Sequence, residues 1–266
     1  MGAGAVEVNI TTNHTLKGAI FDGVDDYVEL PHNANQLGAN LSNGFTISAW
    51  INPRSAGEGT AGVILDKSNG HLGTGGFNFC VSPNTFKRVG FYLNDGTARV
   101  SATDSVLYGV WTHVLVTISS GQLANFYVNG VSSGTANQDL IQTISTITTT
   151  NAPRIGNRAA NTDKTFDGGI GQVKMWNRVL NSTEIAQDYA GSPVTNGLIL
   201  DVPLQSDYND KSTTGLTGTN SGTHLAGMDD AISAAIEADR TTANDVYLMT
   251  GVKGGQVVSA VIEEAP

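Results

Sequence analysis

From Ala19 to Trp176 the chain reads as a succession of short strands, with apolar and polar side chains alternating and turn-forming residues between the runs. A period of two is the signature of a strand with one buried face. In "GFTISAWIN", Phe45, Ile47, Ala49 and Ile51 point one way, and Thr46, Ser48 and Trp50 the other. "RVGFYLNDGTARVSA" is two strands about Asn94-Asp95-Gly96, and "NFYVNGVSSG" turns on Asn129-Gly130. Both turns carry residues that tolerate the positive φ a tight hairpin demands. "THVLVTIS" and "GQVKMWNRVL" add further strands. Many short strands at this spacing predict two stacked antiparallel sheets. The composition suits that arrangement: 32 glycines and only 14 % charged residues fit tight turns better than a helical bundle. A chain of 266 residues can bury one large core plus a small appendage.

The period changes at "NSTEIAQDYAG". Asn181 can cap a short helix, Glu184 can reach back in a capping box, and Gly191 with Pro193 stops the helix. Beyond Pro193 lie one apolar strand, "GLILDVPL", and a Gly/Thr-rich stretch. "DDAISAAIEADR" places Ile232, Ala235 and Ile236 on one helical face, with Asp229 or Asp230 as its cap. "DVYLMTGVKGGQVVSAVIEEA" reads as a hairpin about Lys253-Gly254-Gly255. A one-sided helix and a lone hairpin bury little by themselves, so this tail is expected to pack on the sandwich or on another subunit.

A net charge of −10 argues against a nucleic-acid partner, which needs clustered Lys and Arg. No run of 18 apolar residues exists to cross a membrane as a helix. The opening "MGAGAVEVNITTNHTLKG" has neither the basic region nor the apolar core of a secretory signal, and Gly2 lacks the context for myristoylation. Cys80 stands alone, so folding needs no internal disulfide. The expectation is a protein made and folded in a reducing cytoplasm.

Several stretches, in order, resemble the laminin-G-like, concanavalin A-like lectin/glucanase family: "AIFDGVDDYVELP", "GFTISAWINP", "VILDKSNG", "WTHVLVTISSGQLANFYVNG", "RIGNR" and "FDGGIGQVKMWNRVLNSTEIAQDYAG". The resemblance covers roughly residues 18–191 and implies an all-β, antiparallel two-sheet jelly-roll sandwich. The division expected is an N-terminal arm (1–17), the sandwich (18–191), a strand and loop completing it (192–226) and a helix-hairpin assembly element (227–266). Members of the family open with a strand and loop that residues 1–17 do not supply; "GLILDVPLQSDYNDKSTTGLTGTNSG" matches it instead, after the sandwich. The resemblance therefore implies a circularly permuted sandwich closed by Leu198 to Leu204, or an exchange of that strand with a neighbouring copy.

"GAIFDGVDDYVELP" is the candidate metal site. Asp22, Asp25 and Asp26 could hold one structural Ca²⁺ with backbone carbonyls, or could bond local amides in a tight turn anchored by Phe21 and Tyr27. Family members with calcium here often carry an aspartate on the late strand opposite, where alignment puts Gly171 and Gln172. Loop residues suited to a ligand are Asn69, His71, Asn94, Asp95, Asn157 and Arg158. Trp50, Trp111 and Trp176 fall in family core motifs and are expected to be buried, and His113 in "WTHV" is expected to be structural. Candidate assembly contacts are Leu198, Leu200, Ile232, Ile236, Tyr247, Met249 and Val258.

Glucanases of this fold use carboxylates spelled E-x-D-x-x-E, a run absent here, and there is no H-E-x-x-H helix or Cys/His cluster. The reading is a non-catalytic protein with no required cofactor. Its expected setting is the surface of a virion of phage type, as capsid decoration or fibre component, with other virion subunits and itself as partners. The alternative is a secreted bacterial lectin module binding cell-surface glycans.

Overall fold

The computed structural model describes residues 6–7, 18–32, 37, 41, 43–70, 75–81, 87–93, 99–101, 105–120, 123–136, 147, 149–225, 246–249 and 261–264, with backbone alone at 6–7, 99–100, 135–136, 246–249 and 261–264. In chain order the strands are β1 (Val6–Glu7), β2 (Gly18–Asp22), β3 (Tyr27–Glu29), β4 (Gly44–Pro53), β5 (Val63–Lys67), β6 (Phe77–Val81), β7 (Val89–Leu93), β8 (Arg99–Val100), β9 (Thr112–Ser119), β10 (Ala124–Val128), β11 (Val131–Ala136), β12 (Arg154–Ile155) and β13 (Asp167–Trp176). After helix α1 (Ser182–Tyr189) come β14 (Leu198–Val202), β15 (Thr219–Ser221), β16 (His224–Leu225), β17 (Val246–Met249) and β18 (Val261–Glu264).

Residues 17–225 form one compact unit. Its two antiparallel sheets run β11-β10-β9-β4-β13-β2-β16, with β14 also on β13, and β15-β3-β12-β5-β6-β7-β8. The inward faces meet in a core that includes Phe21, Phe45, Phe77, Phe79, Phe91, Phe126, Ile170 and Leu200. Phe45, Phe77 and Phe91 pack ring to ring at 5.8–6.2 Å between centroids. The predicted alternation in β4 holds, since Phe45, Ile47, Ala49 and Ile51 all lie in this core. Asn129 and Gly130 both take positive φ (50° and 77°), the conformation of the tight turn read from the sequence.

The eight-stranded sheet carries a second packed layer on its outer side. Asn181 caps α1 through the expected capping box with Glu184, and Arg178 bonds both Glu184 carboxylate oxygens. Ile185 of the helix joins Leu115, Trp176, Leu180 and Val194 in a separate apolar cluster, with Leu198 packed on it. That layer explains why the outward residues of β4 and β9 are themselves largely buried.

β13 pairs with β4 along one flank. On the other flank its first half (Asp167 to Gly171) pairs with β2, and its second half (Val173 to Trp176) pairs with β14. The strand that follows the sandwich in sequence thus completes a sheet of its own chain. Leu200 is fully buried in the main core and Leu198 packs against the helix layer. Their expected role as contacts to a neighbour is therefore corrected: both are consumed within the sandwich.

A second unit comprises residues 1–16 and 226–266. Its sheet has the order β1-β18-β17, with Val6 opposite Ile262 and Leu248 opposite Ile262 from the other side. Tyr247 and Met249 lie in β17; Ile232, Ile236, Val258 and the predicted helix fall outside the described residues. Leu200→Ala, which empties a core position in β14, is expected to lower unfolding free energy by about 2–5 kcal/mol. Urea denaturation should show that loss while light scattering shows an unchanged mass.

Candidate functional site

Asp22 ends β2, and a bend through Gly23 (φ 81°) brings the chain to Asp26 before β3. The Asp22 amide donates to Asp26 Oδ2 at 2.8 Å, and the Val24 amide donates to Asp22 Oδ1 at 2.8 Å. Those are the turn bonds of one sequence reading. The same bend gathers one carboxylate oxygen each from Asp22, Asp25 and Asp26 within 4.8 Å of one another, as the other reading requires. Asp22 and Asp25 are exposed and Asp26 is buried. Burial, then the charges of Asp22 and Asp25, push the Asp26 carboxyl above the usual range despite its bond from the Asp22 amide.

Two neighbours of this bend escaped sequence analysis. The residue opposite Asp22 on the late strand is Asp167, whereas Gly171 pairs with Gly18 and Gln172 donates to Asp201. Gly171 is therefore not the late-strand residue opposite the bend, which corrects that expectation; the residue there is Asp167. Asp167 accepts from Arg54 Nε at 2.8 Å, and Arg54 Nη2 donates to Phe21 O. The second neighbour is Gly222 (φ 80°), in the turn between β15 and β16. A Cβ there would stand 1.8 Å from Asp26 Oδ1, so only glycine lets the C-terminal turn lie on this carboxylate. An all-oxygen set at this spacing fits a hard divalent cation, with three of the six to eight ligands Ca²⁺ takes coming from side chains.

Three of the six predicted ligand residues, Asn69, Asn157 and Arg158, are described. Asn69 is exposed, and His71, Asn94 and Asp95 lie outside the described residues. Asn157 is fully buried: its amide donates to Thr165 Oγ1, and its oxygen accepts from the Arg158 and Lys164 amides. Arg158, 6 % exposed, donates to Asp163. Both hold the 156–165 loop in place, which corrects their assignment as ligand contacts. That loop also covers Asp66, a fully buried carboxylate that accepts from the Ala159 amide, Asn78 Nδ2 and Ser68.

His113 is buried in the helix layer and shares Asp188 with Lys174, the contacts being 3.0 and 2.8 Å. Burial alone would raise Asp188, but the His113 hydrogen bond and the Lys174 charge more than offset it, leaving the carboxyl below its usual range. Trp176 is in the core as expected and donates from Nε1 to Val194 O. Trp50 and Trp111 are corrections: both are only half-buried, on the outer side of the sheet. Trp50 stacks on Tyr189 at 5.8 Å and meets the His113 ring edge-on at 5.3 Å. The string Gly130-Val131-Ser132-Ser133-Gly134 has the spacing of a nucleophile elbow but occupies a hairpin turn and β11, not the strand-to-helix turn that elbow needs.

Two antiparallel sheets, an acidic hairpin at one end and a helix laid on one outer face define a lectin-like β-sandwich. The model for the concanavalin A-like lectin/glucanases superfamily, laminin-G type, matches residues 22–186. The chain belongs to that family. Among solved structures it is similar to a candidate carbohydrate-binding protein from Bacteroides ovatus ATCC 8483, with TM-score 0.56 and 17 % identity, covering 79 % of this chain and 59 % of that one. It is also similar to the heptameric SAP-like pentraxin of Limulus polyphemus (TM-score 0.49, 15 % identity, 76 % and 97 % covered). A third is the CBM40 of the Ruminococcus gnavus IT-sialidase (TM-score 0.45, 18 % identity, 61 % and 97 % covered). These likenesses are of fold. No curated protein matches the chain in sequence.

Burial pushes the Asp66 carboxyl up to about 6, against the opposing effect of its hydrogen bonds. The folded state then holds a proton that the unfolded chain has released between about pH 4 and about pH 6, so stability falls as pH rises through that window, by about 3 kcal/mol. Urea unfolding of the native protein at pH 4.5 and 6.5 should show about 2 kcal/mol of that loss, and Asp66→Asn should flatten it.

Proposed function

We propose that this protein is a non-catalytic surface component of a virion, a capsid decoration or fibre/attachment subunit, in which the lectin-like sandwich is displayed and the terminal unit assembles. The observation that carries this reading is topological. β2, at the start of the sandwich, and β16, at its end, are hydrogen-bonded neighbours, with Ala19 opposite Leu225. The chain segments on either side combine in one small sheet, where β1 from the start pairs with β18 from the end. A domain inserted in this way divides the chain into two units. In this reading the terminal unit takes further copies and other virion subunits as partners, and the sandwich takes glycans.

Support for the absence of catalysis comes from how three of the four buried carboxylates among the described residues are used. Asp66, Asp188 and Asp210 are each engaged by internal donors: Asp66 by Asn78, Asp188 by Lys174, and Asp210 by Ser212 and the Asp201 amide. A general acid or nucleophile needs a carboxyl free to meet substrate. Calcium would have a structural part in this reading: Asp22, Asp25 and Asp26 would hold it where the 221–223 turn lies on Asp26. The secreted glycan-binding module is the second reading, favoured by the fold shared with the Bacteroides ovatus protein.

Light scattering on the full chain tests the terminal unit: a defined homo-oligomer is expected, and a monomer that retains neutral glycans would instead favour the secreted module. Saturating calcium is expected to raise the melting temperature by about 5 °C or more, and Asp25→Asn to abolish the shift. A melting temperature indifferent to calcium and EDTA removes the ion from the account.

A further inference from the structure

We propose that the half-exposed tryptophans Trp50 and Trp111, with Asn52 between them, form the glycan-binding platform of the sandwich, and that its ligand is an uncharged pyranoside chain. This inference rests on the glycan-binding part of the function proposed above and assigns it a place.

The residues come together through register. On the outer side of β4, Trp50 sits opposite His113, and Asn52 sits opposite Gly169, which is itself opposite Ile20. Trp111 immediately precedes β9, so it flanks Asn52 from the other side. Trp50 and Trp111 are thereby diagonal neighbours across two strands, about 7–8 Å apart along the sheet and within reach of one ligand. The Trp111 ring reaches over β4 to β13: a Cβ on Gly169 would lie 2.9 Å from its Cη2. Bare glycine backbone is what allows the indole to come this close. Asn52 beneath it keeps its side-chain oxygen buried without a hydrogen-bond partner. Trp50 is held rigid by Tyr189 and His113.

The chemistry of the patch selects the ligand. Aromatic faces take the apolar C–H side of a pyranose ring, and an unpaired amide oxygen accepts from a hydroxyl as the Trp111 ring shifts. Two cations on this sheet are already matched: Arg54 with Asp167, and Lys174 with Asp188. An anionic sugar would have to compete with Asp167 and Asp188 for those cations, and a charged peptide would bring unmatched groups onto an apolar surface. A neutral sugar satisfies both the rings and the amide.

The test is affinity electrophoresis of the full chain through gels containing β-1,3-glucan, xylan, mannan or galactan, with indole fluorescence followed in parallel. Retention by at least one neutral polysaccharide and a fluorescence change are expected for the native protein. Trp111→Ala should weaken retention about tenfold or more. Gly169→Ala, which removes nothing and only pushes the Trp111 ring, should also weaken it with the melting transition retained, so a misfolded tryptophan variant does not decide the matter. Retention by the native protein that survives both changes overturns the platform and leaves glycan binding standing. No retention on any neutral polysaccharide overturns the platform and glycan binding together.

Discussion

The sandwich depends on the unequal lengths of its central strands. β13 has ten residues, pairs with the ten-residue β4 on one side, and meets only the five residues of β2 on the other. Its second half would present unpaired amides and carbonyls along a buried stretch, a cost no compact protein leaves unmet. β14 supplies the missing ladder end to end with β2, from Val202 opposite Val173 to Leu198 opposite Trp176. The same stroke carries Leu200 and Val202 into the main core. Closure of the sheet and filling of the core are therefore one event, and the segment after residue 195 is part of the fold.

Laying α1 on the outer face makes a second interior, and that interior tolerates charge only where the charges are matched. Asp188 near the helix end meets both His113 from β9 and Lys174 from β13, so helix and sheet are clamped by a buried ionic cluster. Removing one partner of such a cluster leaves an uncompensated charge, which costs far more than a surface ion pair contributes. Beyond the helix C-terminus the covering layer stops, and Trp50 is left between Tyr189 and solvent. The half-exposure of Trp50 is a consequence of where α1 ends, which Gly191 (φ 75°) and Pro193 dictate.

Local chemistry was readable from the sequence wherever a residue's partner lies a few positions away. The Asn181–Glu184 capping box, the Asn129-Gly130 turn and the gathering of Asp22, Asp25 and Asp26 are all of this kind. Alternation in β4 likewise sorted Phe45 from Trp50. What the sequence withheld depends on register and on layers. β13 pairs with β2 without a break from Gly171 opposite Gly18 to Asp167 opposite Asp22, so the hairpin end of β2 faces Asp167, four residues before the position read from the family pattern. No local pattern announces such a shift. Asn157 and Arg158 looked like loop polar groups because nothing nearby in sequence reveals that Asp66, across the sheet, needs their loop as a lid. Trp111 looked like a core residue because the glycine that receives its ring lies 58 positions later, at Gly169.

Adjacent entry and exit strands have a consequence for how the chain can be built. β2 and β16 lie side by side, so the ends of the sandwich are about one strand spacing apart. A domain with neighbouring ends can be opened at another loop or inserted into a second unit without disturbing its core, because no connection has to cross the molecule. The opening strand of the family pattern can then arrive from the C-terminal side and still occupy its place beside β13. The flanking residues, freed from closing the sandwich, are available to form the β1-β18-β17 sheet, whose strands come from both ends of the chain. A sheet drawn from both ends holds them together as β2 and β16 do within the sandwich, so one polypeptide carries two units with separate sheets.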